Sequence, residues 1–368
     1  MTSQSASCAA FNPITLLSRL LLQEGGEAGS LRADEELKWS LLSLRKNEFE
    51  ELRSLADLNH VVVRGMEAFS LLAQSAGDDS RSEWAETALA TERGRIAAAI
   101  PALHSICQAF EERGYGVAVI KSLDHWPDLG SDLDLYTSAD SEDVCKLMKS
   151  RFEARVAPRS WGDRLACKWN FIVPGLAELV EIHVNRLGQT GEQVAIASSI
   201  LKRTRTVQIG DRNFRVPSVS DRLMISTLQR MYRHFYFRLC DIVDSAGLEG
   251  AIDYVDLRSS ATAAGIWEGV ATYLVIVSDY VRRYRGFGID LPRMVLDAAK
   301  FGGDAIYYNR SFLRVPIMPQ SARLYGSQLA GMLRKRELTS GARLSLLPWL
   351  ATAAVVGQKI TGSDKGIW

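Results

Sequence analysis

The chain has 368 residues, 47% of them hydrophobic and 24% charged, which excludes a disordered or low-complexity protein and gives enough length for two domains with a real core. Its 44 basic residues stand against 43 acidic ones, for a formal net charge of +1, so no whole-molecule field favours nucleic acid and a polyanionic partner must be caught at a local site. The cysteines, Cys8, Cys107, Cys145, Cys167 and Cys240, are odd in number and far apart, with no C-x-x-C pair; reduced thiols fit that pattern better than a disulfide framework or a zinc site.

The N-terminal MTSQSASCAAFNPITLLSRLLLQEGG lacks a basic leader, and Ser18 and Arg19 break its apolar run. A secretory signal is not expected, and the cytoplasm is the expected location. Residues 1–113 read as a helical region. FEELRSLADLNHVVVRGMEAFSLLAQ (49–74) spaces Phe49, Leu52, Leu55, Leu58 and Val62 as one amphipathic helix does, GDDSRSE (77–83) reads as a polar loop, and RGRIAAAIPALHSICQAFEERG (93–114) as a second helix ending at Gly114.

At Gly116 the period changes. GVAVIKS (116–122) is a short valine-rich strand, DLDLYT (132–137) alternates, and SEDVCKLMKSRFEARV (141–156) returns to helical spacing. KWNFIVPG (168–175) and LVEIHVNRL (179–187) predict two strands across a Pro-Gly turn, and VQIGDRNFRVPS (207–218) a further pair around Gly210 and Asp211. Residues 114–217 are therefore expected to form a small α+β unit, a mixed sheet with helices on one side.

Residues 218–368 are expected to be helical again. DRLMISTLQRMYRHFYFRLCDIVDSAGL (221–248) predicts one long helix and GIWEGVATYLVIVSDYVRRYRG (265–286) another, while FGGDAIYYNRSFLRVPIMPQ mixes turn and strand signals. LSLLPWLATAAVVGQ (344–358) is uncharged but shorter than the ~20 residues that cross a bilayer. A buried core helix is the expectation there, with contact at a membrane surface the alternative.

The chemistry concentrates in DLDL. On a strand Asp132 and Asp134 face one way and Leu133 and Leu135 the other. Two like charges on one face call for a cation between them, and Mg²⁺ takes one or two carboxylates together with substrate phosphates. In LVEIHVNRL, Glu181 and His183 share a face while Val180, Ile182 and Val184 share the other, so a third carboxylate repeats the design.

A strand ending in Lys121 and a small residue, followed after nine residues by Asp-Leu-Asp-Leu, resembles the signature of the polymerase-β-like nucleotidyltransferase superfamily. LNHVVVRGMEAF, RGYGVAVIKSLDHWPDLGSDLDLYT, LVEIHVNRL and SDRLMISTLQRMYRHFYFRLCDIVD together are similar to a family of bacterial nucleotidyltransferases, over about residues 40–250. The resemblance implies a polymerase-β-like core between helical N- and C-terminal regions. It implies Asp132, Asp134 and Glu181 as catalytic ligands of two Mg²⁺ ions, with Mn²⁺ as a substitute, and Lys121, Ser122, Ser131, His183, Arg230, His234 and Arg238 on the nucleotide.

Ser122 stands where the family has glycine, whose freedom lets backbone N–H groups approach a triphosphate. A serine hydroxyl can itself donate to phosphate, and many members of the wider superfamily carry serine one position later. Arg230, His234, Arg238 and Asp241 recur at helical spacing, as a phosphate-gripping face or as a solvated face with an Arg238–Asp241 pair. His125 and Trp126 could meet a base or acceptor or anchor their own loop; Lys202, Arg203 and Arg205 read as a solvated edge, with an acceptor groove the alternative. No P-loop, kinase, nucleophile-elbow or H-E-x-x-H motif competes.

The expected activity is metal-dependent transfer of a nucleoside monophosphate from an NTP to an acceptor hydroxyl or phosphate, with pyrophosphate leaving. The acceptor could be a small molecule, sugar, protein or RNA, a toxin-like transferase being one variant. A nucleotide-binding or partner-binding module that has lost catalysis on the same fold is the alternative.

Overall fold

The computed structural model describes residues 12–22, 25–26, 30–31, 35–350 and 352–353. Cys8, and residues 351 and 354–358 of the apolar C-terminal segment, lie outside them. The described chain is a mixed α and β structure, helices outweighing small sheets.

Five helices come first: α1 (Pro13–Leu22), α2 (Glu35–Leu42), α3 (Lys46–Leu58), α4 (Val62–Ser75) and α5 (Asp79–Glu111). The single helix expected over 49–74 is two. His60 adopts a left-handed φ of 54°, and the Asn59 amide donates to the Leu55 carbonyl while its side-chain oxygen accepts from the Leu239 N–H. Leu58, expected on the buried stripe, is 46% exposed because the stripe stops there. Most of the loop expected at 77–83 is instead the start of α5, whose N-terminal N–H of Arg81 is capped by the Asp78 carboxylate.

Strands β1 (Val117–Val119), β2 (Asp132–Thr137), β3 (Arg155–Val156), β4 (Lys168–Ile172) and β5 (Leu179–Val184) form one sheet in the order β1-β2-β5-β4-β3. β2 and β5 run parallel and the other pairs antiparallel. Leu133, Leu135, Val180 and Ile182 are fully buried, in one cluster with Leu103 and Phe110 of α5 and Val144 and Leu147 of α6 (Ser141–Phe152). The apolar alternation thus holds the sheet from behind and leaves the acids on the opposite face. A hairpin, β6 (Thr204–Ile209) and β7 (Arg212–Pro217), turns at Gly210 and Asp211 and packs beside β1.

The long helix expected over 221–248 does not form. After α9 (Val219–Thr227) the backbone widens into a π-helical segment, Leu228–His234, which Phe235 closes with a left-handed φ of 55°. A short strand β8 (Tyr236–Phe237) follows, and only then α10 (Leu239–Ala246). Gly269 of α12 (Trp267–Arg285) makes room for the widening, since a Cβ there would lie 2.3 Å from the Tyr232 hydroxyl. The C-terminal region is also not purely helical: β9 (Tyr307–Asn309) and β10 (Phe312–Arg314) join β8 in a sheet ordered β8-β10-β9.

Beyond it lie α14 (Ala322–Arg334) and α15 (Leu338–Leu344). The described part of 344–358 is not a buried core helix, because the chain turns at Ser345 and Leu346 and leaves Trp349 75% exposed. Among the described residues no helix is long and apolar enough to cross a membrane. One buried cluster runs from Ile14 to Leu324 and draws on all three regions.

Candidate active site

Parallel pairing of β2 with β5 sets Asp134 directly beside Glu181, with Asn170 of β4 next in the same row. Neighbouring strands lie about 4.8 Å apart, so two carboxylates here must share a positive partner. They share several. The Lys121 ammonium contacts Asp134 and lies 3.2 Å from Glu181 Oε1. Lys168 reaches Glu181 Oε2 at 2.8 Å and Asp163 at 2.8 Å. His183 Nε2 is 2.8 Å from Glu181 Oε1 and 3.9 Å from Asp134 Oδ1.

Burial opposes the charge on Glu181, yet Lys121, Lys168 and His183 outweigh it and hold the carboxyl well below its usual range. Burial likewise opposes the charge of Lys121, and Asp134 and Glu181 more than restore it. Asp132 is different. Burial, then Asp134 and Glu181, push its carboxyl up to about 6, and no hydrogen bond or ion pair reaches it among the described residues. Asp134, Glu181 and His183 bring ligand atoms close enough to hold one metal ion.

Lys121 leads the turn after β1 with a left-handed φ of 67°, and Ser122 opens a single 3₁₀ turn, Ser122–His125. The glycine-like conformation therefore falls on Lys121, and Ser122 needs no such freedom. Its hydroxyl donates to the Asp132 carbonyl at 3.0 Å and accepts from the Asp134 N–H at 2.7 Å. Its own N–H donates to the Ile120 carbonyl at 2.8 Å. Both of its donors are thus spent on fixing the turn to the Asp-x-Asp strand.

All ten candidate residues except His183 line one cleft of about 280 Å³, and His183 stands behind Glu181 in an adjoining pocket. The π-helical segment sends Gln229, Arg230, Arg233 and His234 into it together. Arg230 is not a free cation, for its Nε lies 2.7 Å from Asp241 and both side chains are almost wholly buried. The pair anticipated between Arg238 and Asp241 is made by the Arg238 backbone N–H instead, at 2.7 Å. Arg233 and Arg238 line the cleft with no carboxylate partner among the described residues. Burial, with Arg233, Arg230 and Arg238 around it, keeps His234 well below the usual histidine range and neutral.

Tyr236 completes this wall, stacked on Phe312 at 4.4 Å with the Arg314 guanidinium 5.0 Å from its ring. Sequence reasoning missed Lys168, Asp163, Asn170, Gln229, Arg233 and Tyr236. Lys168 and Asn170 were reachable from the two-residue alternation in KWNFIV; Gln229, Arg233 and Tyr236 depend on a π-turn that no sequence period announces, and Asp163 comes from a short capped helix, Trp161–Leu165. Lys202, Arg203 and Arg205 do not line the cleft, and Arg203 is tied to Asp221 and Asp256. Trp126 is exposed, whereas His125 lines the cleft and pairs with Asp244.

Two outcomes follow from this geometry. Ser122→Ala leaves the Asp134 N–H without its acceptor, so it lowers stability by about 1–3 kcal/mol in urea unfolding; an unchanged midpoint would show that the hydroxyl does not hold the turn. For Asp132, the folded carboxyl titrates near 6 against an ordinary value of 3.8, so the folded state binds the extra proton and stability falls as pH rises between those values. Asp132→Asn removes that penalty: in metal-free buffer its melting temperature exceeds wild type at pH 8, and the difference closes by about pH 4. Calorimetric scans across pH check it.

No protein-family model matches the chain, and neither does any curated protein. Among solved structures it is similar to the crystal structure of an antigenic nucleotidyltransferase-like protein from Paracoccidioides brasiliensis, with 14% identity and a TM-score of 0.31 over 44% of this chain and 85% of that one. A likeness of that size leaves the chemistry to be argued from the site's own geometry.

Proposed function

We propose that this chain is a metal-dependent nucleotidyltransferase, moving a nucleoside monophosphate from an NTP to an acceptor hydroxyl or phosphate and releasing pyrophosphate. The observation that carries the reading is one cleft in which Asp132, Asp134 and Glu181 from adjoining strands share the lining with Arg233 and Arg238, whose guanidiniums have no carboxylate partner among the described residues. Hard oxygen donors suit Mg²⁺ or Mn²⁺, and guanidiniums without a carboxylate suit a polyphosphate. The donor set fits such an ion, since Asp132 faces the cleft and makes no ion pair among the described residues. When bound through Asp132, Asp134 and Glu181, two Mg²⁺ ions would supply neutralising charge at the triphosphate and a lowered pKa for the acceptor hydroxyl.

The chain's own side chains do the rest. Arg233 and Arg238 grip phosphate oxygens. Lys168 and His183 fix the two oxygens of Glu181 in place, and Lys121 offers a point charge between carboxylates and phosphates. Tyr236, braced by Phe312, presents a ring against which a base can stack. Acceptor choice, among small molecule, sugar, protein or RNA, lies outside this constellation, and a cytoplasmic setting fits reduced thiols.

A second reading has its own support. Both oxygens of Glu181 are already engaged by Lys121, Lys168 and His183, as expected for a nucleotide-binding module that has given up catalysis. Incubation with each labelled NTP, Mg²⁺ and cell extract separates the two. The transferase releases pyrophosphate, and Asp132→Ala with Asp134→Ala abolishes the release; a melting temperature raised by NTP and Mg²⁺ with no pyrophosphate from any acceptor means the binding module.

Lys121 supplies a further outcome. Lys121→Met leaves two buried carboxylates without their shared cation, so in metal-free buffer its melting temperature falls. Mg²⁺ then raises the variant's melting temperature more than the wild type's. Equal shifts in the two proteins would mean that Lys121 and the metal do not compete.

A further inference from the structure

At the edge of the cleft, away from the three carboxylates, a second constellation collects from three distant parts of the chain. His60 stands in the break between α3 and α4, His125 ends the 3₁₀ turn after β1, and Cys240 opens α10. Their ligand atoms all lie within 4.8 Å of one another. His125 Nε2 is 3.8 Å from Cys240 Sγ, against about 3.6 Å for a sulfur and a nitrogen on one tetrahedral zinc ion. The two imidazoles meet edge to face at 5.7 Å between centroids.

The surroundings hold the would-be ligands in place. His125 turns Nδ1 to the Asp244 carboxylate at 2.5 Å, which fixes the ring and leaves Nε2 toward the sulfur. Asp244 is itself held by Arg64 at 2.7 Å, and Arg64 by Asp128 at 2.7 Å. A carboxylate behind a ligating imidazole, with that carboxylate anchored in turn, is the outer shell that orients ligands and strengthens their basicity. The opposing feature is Arg238, 3.4 Å from His60 Nδ1. That contact is long for a hydrogen bond. Charge does not forbid the ion: a divalent metal takes the place of the Cys240 thiol proton and of a proton on His125 Nε2, while the Nδ1 proton stays in the hydrogen bond to Asp244.

We propose that His60, His125 and Cys240 form a transition-metal site, of the class that takes Zn²⁺ or Co²⁺, separate from the carboxylate centre. Two nitrogens and a thiolate select a borderline or soft ion and not Mg²⁺. His60 and His125 line the cleft while Cys240 is buried, so the fourth position opens toward the cleft, as in sites where the metal meets water or substrate. Cysteine spacing in the sequence argued against zinc because only one ligand is a cysteine, and the two histidines lie 65 residues apart from each other and over 100 from it along the chain.

The test uses full-length metal-free protein and Co²⁺. One Co²⁺ per chain should give a thiolate-to-cobalt charge-transfer band with tetrahedral visible bands. Cys240→Ser should lose the charge-transfer band, and His60→Ala should weaken binding at least tenfold. The Asp132→Asn and Asp134→Asn double variant, which dismantles the carboxylate centre, should keep the full spectrum, so failure of the nucleotidyltransferase reading does not touch this result. No thiolate band in the wild type, or a band that survives Cys240→Ser, overturns the site. Should Cys240→Ser not fold, the wild-type spectrum with His60→Ala decides, since an unaltered affinity in that variant equally overturns it.

Discussion

Carboxylates that look the same way from adjoining strands, and that lie largely out of water, cannot remain charged without cations among them. That constraint organises the middle of this protein. Asp134 and Glu181 are each only 8% exposed, and they are side by side because β2 and β5 run parallel. Lys121, Lys168 and His183 converge on them from the turn after β1, from β4 and from β5 itself. Each of these donors costs something locally: Lys121 accepts a left-handed backbone, and Lys168 brings a further acid, Asp163, to share its charge. Asp132 is left over: it makes no ion pair among the described residues, and burial with its two acidic neighbours raises it toward neutrality.

The distant parts of the chain serve the same centre. Asp128, almost fully buried, accepts from the Val63 N–H at 2.6 Å and pairs with Arg64, which fastens α4 to the loop that leads into β2. Asn59 donates to the Leu55 and Ser311 carbonyls and accepts from the Leu239 N–H, joining the end of α3 to α10 and to the β9–β10 hairpin. That hairpin carries Phe312, which backs Tyr236 in the cleft. The wall that faces the carboxylates is thus held by elements drawn from both ends of the chain, and the continuous buried cluster makes them one body.

How much of this was legible in the sequence depended on the period of each element. Strands with strict alternation were clear: DLDLYT and LVEIHV show their buried and polar faces as the pattern demands, and the acids meet through their pairing. Helical spacing was less secure, because it says where a stripe lies and not where a helix stops. A histidine in the left-handed region ends α3 at a point where the hydrophobic spacing carries on, and nothing in FEELRSLADLNHVVV but Asn59 hints at the break. RMYRHFYF misled for another reason. A π-turn adds a residue to each turn, so the 3.6 period groups Arg230, His234 and Arg238, whereas the real segment gathers Gln229, Arg230, Arg233 and His234 and passes Arg238 on to the next element.

Ser122 shows the limit of reading a residue by its place in a motif. As a replacement for glycine it looked like lost freedom at a phosphate-binding turn. In the structure the unusual φ belongs to Lys121, and the hydroxyl of Ser122 ties the turn to the backbone of Asp132 and Asp134. The serine thus holds Lys121 over the acids rather than reaching for a ligand. On the nucleotidyltransferase reading this matters energetically. Phosphate and carboxylate compete for the same ammonium, so a nucleotide that draws Lys121 toward itself frees oxygens of Asp134 and Glu181 for a metal ion. An ion bound there would in turn release Lys121 to the phosphates. By linkage each ligand would then strengthen the binding of the other to the same degree.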